Sequence, residues 1–147
     1  MEVLRTPDNL FNDLCGFPFS PNYTEVDDFE GGAIRIHYVH EGPSNGELII
    51  CLHGQPSWPY SFRKMISPLT SAGCRVISPD LVGFGRSDKP SKRSDYSFSR
   101  HVNWFKQFIN NLSLKNITIL CHDWGGPISL RVVAENPEKF SRVIATN

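Results

Sequence analysis

The residue best placed to do covalent chemistry is an aspartate at the end of an apolar run. Ile117, Thr118, Ile119, Leu120 and Cys121 form a β-branched stretch that stops at His122-Asp123-Trp124, and Gly125, Gly126 and Pro127 then lead into a helical pattern. A buried strand that breaks into a glycine-flanked turn and enters a helix is the sequence picture of a nucleophile elbow, whose tip residue stands out above the sheet on a strained backbone. The residues two before and two after the tip must be small. Cys121 and Gly125 fill those places, so the tip is Asp123. A carboxylate there is ionised near pH 7 and attacks without a base. It suits displacement at an electrophilic sp3 carbon, which leaves an alkyl ester on the protein. Hydrolysing that ester takes water, a general base such as histidine, and donors aimed at the oxyanion on the aspartyl carbonyl.

Two oxyanion donors are expected. One is the backbone N–H after the tip, that of Trp124, and the other comes from the interruption His53-Gly54-Gln55-Pro56 that follows an earlier buried strand. Gln55 supplies it through its N–H; Pro56 has none, and the Gln55–Pro56 bond is expected to be cis. Trp124 has a second possible use, because its donor-only indole N–H can solvate a departing anion; the alternative is that it packs beneath a lid. His122 stands beside the tip and faces elsewhere, His53 is read as ordering its own loop, and His37, His40 and His101 as surface or helix residues. Gly83-Phe84-Gly85-Arg86-Ser87 lacks the lysine and spacing of a phosphate loop. Asp80 is read as polar support.

The elements that must position these residues follow from periodicity. Residues 1–23 are rich in Pro, Asn and Phe without a sustained period, and read as an irregular arm. A first strand is expected over 24–29, and Ala33 to His40 alternates as a half-exposed strand. Glu47 to Leu52 is a nearly continuous apolar run, expected of a strand covered on both faces. Ser57 can cap a helix with Pro59 in its first turn, Phe62, Ile66 and Leu69 on one face, and Pro68 ending or bending it. Cys74 to Ser78 is the next strand. Phe98, Val102, Phe105, Ile109 and Leu112 mark a helix, and a further helix runs from about Gly125 to Glu135. Val143 to Thr146 is a last strand. This alternation predicts an α/β fold with a mostly parallel sheet flanked by helices. The chain stops as that last strand completes, which reads as a fragment.

Composition narrows the classes. Fifteen basic and fifteen acidic residues balance, so nothing points to nucleic acid or a membrane surface. No apolar run approaches a membrane span and the first residues do not open a signal peptide, so a cytoplasmic protein is expected. Cys15, Cys51, Cys74 and Cys121 lack metal spacing and read as reduced thiols; no metal and no cofactor are expected.

Against these residues the sequence resembles the haloalkane dehalogenases of the α/β-hydrolase superfamily. The resemblance lies in Arg5-Thr6-Pro7-Asp8, Phe11 and Pro18-Phe19-Ser20-Pro21-Asn22-Tyr23 of the arm, in His53-Gly54-Gln55-Pro56-Ser57-Trp58 with Tyr60 and Arg63-Lys64-Met65, in Val76 to Asp80 and Gly83 to Pro90, and in His122-Asp123-Trp124-Gly125-Gly126. It covers essentially all 147 residues. The resemblance implies hydrolysis of a small halogenated alkane to alcohol, halide and a proton, with Asp123 as nucleophile, Gln55 and Trp124 as oxyanion hole, and Trp124 as one of two halide-binding donors. Gln55 stands where relatives often carry an acidic residue. The family's second halide-binding Trp, helical cap, acid partner and catalytic His match no residue present. Residues 1–147 are therefore expected to be the N-terminal part of a single α/β-hydrolase core domain, truncated before the cap and last strands, without the base for turnover, and a monomer when complete. An epoxide hydrolase shares the aspartate, elbow and oxyanion loop and is the alternative. A non-catalytic truncated α/β module is another.

Overall fold

Two apolar runs, Leu48–Leu52 and Ile117–His122, become adjacent parallel strands, because a strand covered on both faces can be apolar at every position. The computed structural model describes residues 1–147. Its strands are β1 (Val3–Leu4), β2 (Asn22–Asp27), β3 (Ala33–Glu41), β4 (Leu48–Leu52), β5 (Arg75–Pro79), β6 (Lys89–Pro90), β7 (Ile117–His122) and β8 (Phe140–Thr146), and its helices are α1 (Arg63–Ser71), α2 (Phe98–Asn111) and α3 (Gly125–Glu135). Six strands form one sheet in the order β2-β3-β5-β4-β7-β8. β5, β4, β7 and β8 run parallel, whereas β2 and β3 pair antiparallel at one edge. The α/β architecture expected from alternation is the observed one, with the antiparallel edge as an addition.

Alternate residues of the central strands feed two cores. Leu48, Ile50 and Leu52 face α2 and α3 among Phe105, Phe108, Ile128 and Val132. Ile49 and Cys51 face α1 and the arm among Phe17, Phe62 and Ile66. Burial pushes the Cys51 thiol up to about 12, and all four cysteines are free. No helix is long and apolar enough to cross a membrane.

Several local expectations change. β3 is covered on both faces rather than half exposed: Val39 is buried among Phe17, Ile66 and their neighbours, and His37, read as a surface residue, is 1% exposed. The His37 Nδ1 lies 3.1 Å from the Asp80 carboxylate just past β5 without a hydrogen bond, and its backbone N–H donates to the Ser87 hydroxyl. Ser57 caps nothing; Pro59–Phe62 forms a 3-10 turn whose entry has no side-chain cap. Pro68 lies inside α1, which continues to Ser71. Ser97 caps α2 by accepting the Arg100 N–H. The arm contains a 3-10 turn at Asp8–Phe11 and the two-residue β1, which pairs antiparallel with β6.

Candidate active site

The parallel strands carry their C-terminal ends to one edge of the sheet, and the site forms there. β7 ends at His122, and Asp123 takes a φ of 51° before Trp124 and α3. The left-handed region costs an L residue roughly 1–2 kcal/mol, and aspartate is among the few that visit it. The turn is closed by the Gly126 N–H donating to the Asp123 carbonyl at 2.8 Å. Gly125 must be glycine for space: a Cβ there would run into the carbonyl oxygens of Leu52 and His53 at the end of β4. Gly54, which the spacing argument passed over, is constrained in the same way, since its Cβ would collide with the Asp123 side chain and the Trp124 nitrogen. Its place between His53 and Gln55 was the available signal.

The three expected residues come together. The Gln55 N–H donates to Asp123 Oδ1 at 2.7 Å, and the Gln55–Pro56 peptide is cis. The N–H groups of Trp124 and then of Gln55 hold the Asp123 carboxyl below its ordinary value, because each stabilises the anion. Trp124 is 50% exposed. Its indole and Gln55 border a cleft of about 210 Å³ whose walls are Leu81, Phe84, Tyr96, Ser97, Phe98, His101 and Ile128. Asp123 does not line this cleft; it lines a more open depression with Trp124, Pro127 and Asn147, and Trp124 borders both.

The remaining candidates lie outside this group. The His122 ring is 3.3 Å from the Thr146 hydroxyl on β8. His53 is fully buried and tied to backbone atoms at both ring nitrogens. His101 lies in α2 with its pKa pushed down to about 4 by burial, so its ring is neutral at pH 7. Asp80 supports the loop, accepting the Arg86 N–H while its neighbour Lys89 donates to the carbonyls of Gly85 and Ser87. That lysine is spent on its own loop, in keeping with the absence of a phosphate-loop pattern.

Comparison with known proteins adds the family context. A sequence model described as the alpha/beta hydrolase fold matches residues 47–147. A haloalkane dehalogenase of Psychrobacter cryohalolentis is 55% identical over all of this chain and 48% of its own length. Among solved structures, a haloalkane dehalogenase of Paraglaciecola agarilytica, described as tetrameric, superposes with a TM-score of 0.91 at 45% identity, over 99% of this chain and 50% of its own. An epoxide hydrolase of Vigna radiata superposes with a TM-score of 0.77 at 28% identity, over 88% of this chain and 40% of its own. The chain spans about half the length of the curated relatives it matches.

Proposed function

Because this chain belongs to the alpha/beta hydrolase fold family, we propose that the protein carrying it hydrolyses the carbon–halogen bond of haloalkanes through an ester on Asp123. The observation that carries the reading is the placement of an aspartate carboxylate at the left-handed tip of the turn, with the Gln55 N–H 2.7 Å from its Oδ1. In the first step an Asp123 oxygen forms a bond to the carbon as the carbon–halogen bond breaks, and halide departs with the bonding pair. In the second, water adds to the ester carbonyl and gives up a proton to a base; the alkoxy group leaves as alcohol and the carboxylate is restored. The negative charge that builds on the carbonyl oxygen during the second step is met by the Gln55 and Trp124 N–H groups. Removing one such donor typically costs about 10²–10³-fold in kcat.

Within residues 1–147 the Trp124 indole N–H donates to no acceptor, so it is free to donate to a departing halide. An alkoxide leaving an opened epoxide needs a proton, which an indole does not give. The elbow is common to both readings, and the 55% and 45% identities to haloalkane dehalogenases, against 28% to the Vigna radiata epoxide hydrolase, favour haloalkane over epoxide. No hydrogen bond joins a histidine to Asp123 within residues 1–147, and we assign to these residues the alkylation step without turnover. A monomer is part of the same reading, checked by sedimentation.

The test is intact-mass analysis after incubation with 1-bromobutane, beside 1,2-epoxybutane. The expected result is a butyl adduct on Asp123 that disappears in Asp123→Asn, with no sustained halide release from residues 1–147 alone. An adduct with the epoxide but not the bromide would transfer the reading to epoxide opening. No adduct from the full-length protein with either, and no turnover, would return the chain to a non-catalytic module.

A further inference from the structure

We propose that His53 is a positioning residue that aims the Gln55 N–H at Asp123. What the aimed amide does in catalysis rests on the dehalogenase reading above; the aiming itself rests on geometry alone.

The ring of His53 is wholly buried, with Phe84 edge-on at 5.5 Å. Its Nε2 lies 2.9 Å from the Leu81 nitrogen and its Nδ1 lies 2.8 Å from the Gly54 oxygen. A backbone N–H can only donate, so Nε2 presents its lone pair. A carbonyl can only accept, so Nδ1 carries the proton. These two partners leave one neutral tautomer, and burial, which disfavours the charged ring, acts in the same sense.

The Gly54 carbonyl and the Gln55 N–H belong to one trans peptide unit, so they lie in its plane and point in opposite directions. Drawing the carbonyl toward the His53 ring therefore turns the N–H the other way, where Asp123 Oδ1 waits at 2.7 Å. The bonds form a continuous series from the Leu81 N–H through the imidazole and the Gly54–Gln55 peptide to the carboxylate, and each polarises the next. The Ser57 N–H also donates to the Gly54 carbonyl, at 3.1 Å, but it belongs to the same loop. The His53 ring is what ties that peptide to another element, the exit of β5. His53 does not touch the carboxylate and both its nitrogens are engaged, so it acts through the peptide.

The test uses the full-length protein that carries this chain and two polar replacements. His53→Asn keeps an N–H donor near Nδ1 for the Gly54 carbonyl and gives up the acceptor for Leu81. His53→Gln keeps reach toward Leu81 and gives up the donor to Gly54. The first readout is the NMR signal of the Gln55 amide proton. It is expected far downfield and slow to exchange in the unsubstituted protein and in His53→Asn, and upfield with exchange about tenfold faster or more in His53→Gln. Equal signals in both folded variants would overturn the proposal whether or not the protein is a dehalogenase. The second readout is the ratio of ester hydrolysis to Asp123 alkylation in a single turnover with 1-bromobutane. His53→Gln should lower that ratio by about ten- to a hundredfold, less than outright loss of a donor, and His53→Asn should restore most of it. Partial unfolding lowers both amplitudes without changing the ratio, so an unchanged ratio in His53→Gln also counts against the proposal. Failure of the dehalogenase reading would be seen separately, as no alkylation in the unsubstituted protein.

Discussion

Gly125 and Gly126 are neighbours in the sequence and opposite in what they tolerate. A methyl group at Gly125 meets the backbone oxygens of β4, which cannot swing aside, whereas nothing lies within 4 Å of one at Gly126. Gly125→Ala should therefore destabilise by on the order of 1–3 kcal/mol. Gly126→Ala, in the first turn of α3, should stabilise by up to about 1 kcal/mol, because alanine has the higher helix propensity. Urea midpoints at constant slope for the two variants check both signs. The pH response of Asp123 belongs to the same scale. Its carboxyl is held below the ordinary value by the Trp124 and Gln55 N–H groups. The group therefore keeps its charge to lower pH than an ordinary aspartate does. The half-fall in the rate of butyl adduct formation with falling pH should lie below about 3.9, the ordinary value, as read by quenched intact-mass time courses. A half-fall near or above the ordinary value would remove the donors' influence on this carboxylate.

Among the elements, the arm depends most on distant partners. β1 pairs with β6, and beside that ladder the Arg5 guanidinium holds Asp88 at 2.5 and 3.0 Å. The Asp88 side chain is 1% exposed, and its other donor is the Arg35 N–H. Truncating Arg5 leaves a buried carboxylate short of its cation, which costs about 1–3 kcal/mol. Arg5→Ala should lose that much stability, and Asp88→Asn in the same chain should recover part of it, so the double variant is less destabilised than the sum of the singles. A strictly additive cycle in denaturant would remove the ion pair from the account. This dependence explains why β1 was not legible in the sequence: its partner lies more than eighty residues along the chain, and two residues carry no period. β4 and β7 were legible because burial on both faces writes itself as an unbroken apolar run, and α2 because its apolar stripe recurs at helical spacing. His37 was misread because alternation along β3 marks one face as polar, while the Asp80 carboxylate and Ser87 hydroxyl that surround this histidine come from the segment after β5. The site divides the same way. Asp123, Trp124 and Gln55 could be read from a turn and a loop, but the constraint on Gly54 and the bonds of His53 exist only once β4, β5 and β7 stand side by side.

At the scale of the whole molecule the two margins of the sheet differ. β2 is covered in part by α2, with the Trp104 indole donating to the Asp27 carbonyl and Asn111 to that of Glu25. β8 pairs with β7 on one side alone, so along its outer side backbone N–H and C=O groups have no strand partner. Val143 and Ile144 on it are 44% and 43% exposed, and Leu130 on the adjoining α3 is 43% exposed. An extended edge bearing apolar side chains is a template for another strand, and apolar area left in water adds a driving force of about 25 cal/mol per Å² covered. Residues 1–147 expressed alone should therefore self-associate, with light-scattering mass rising with concentration. Val143→Lys and Ile144→Lys together should suppress that rise, because charge on an edge opposes strand pairing while leaving the β7–β8 ladder intact. Equivalent lysines placed at exposed positions of α1, such as Met65, should not. If the unsubstituted chain stays at one mass across concentrations and melts cooperatively, the edge is protected by means other than pairing. If lysines on α1 work as well as lysines on β8, general charge rather than the strand edge governs the association.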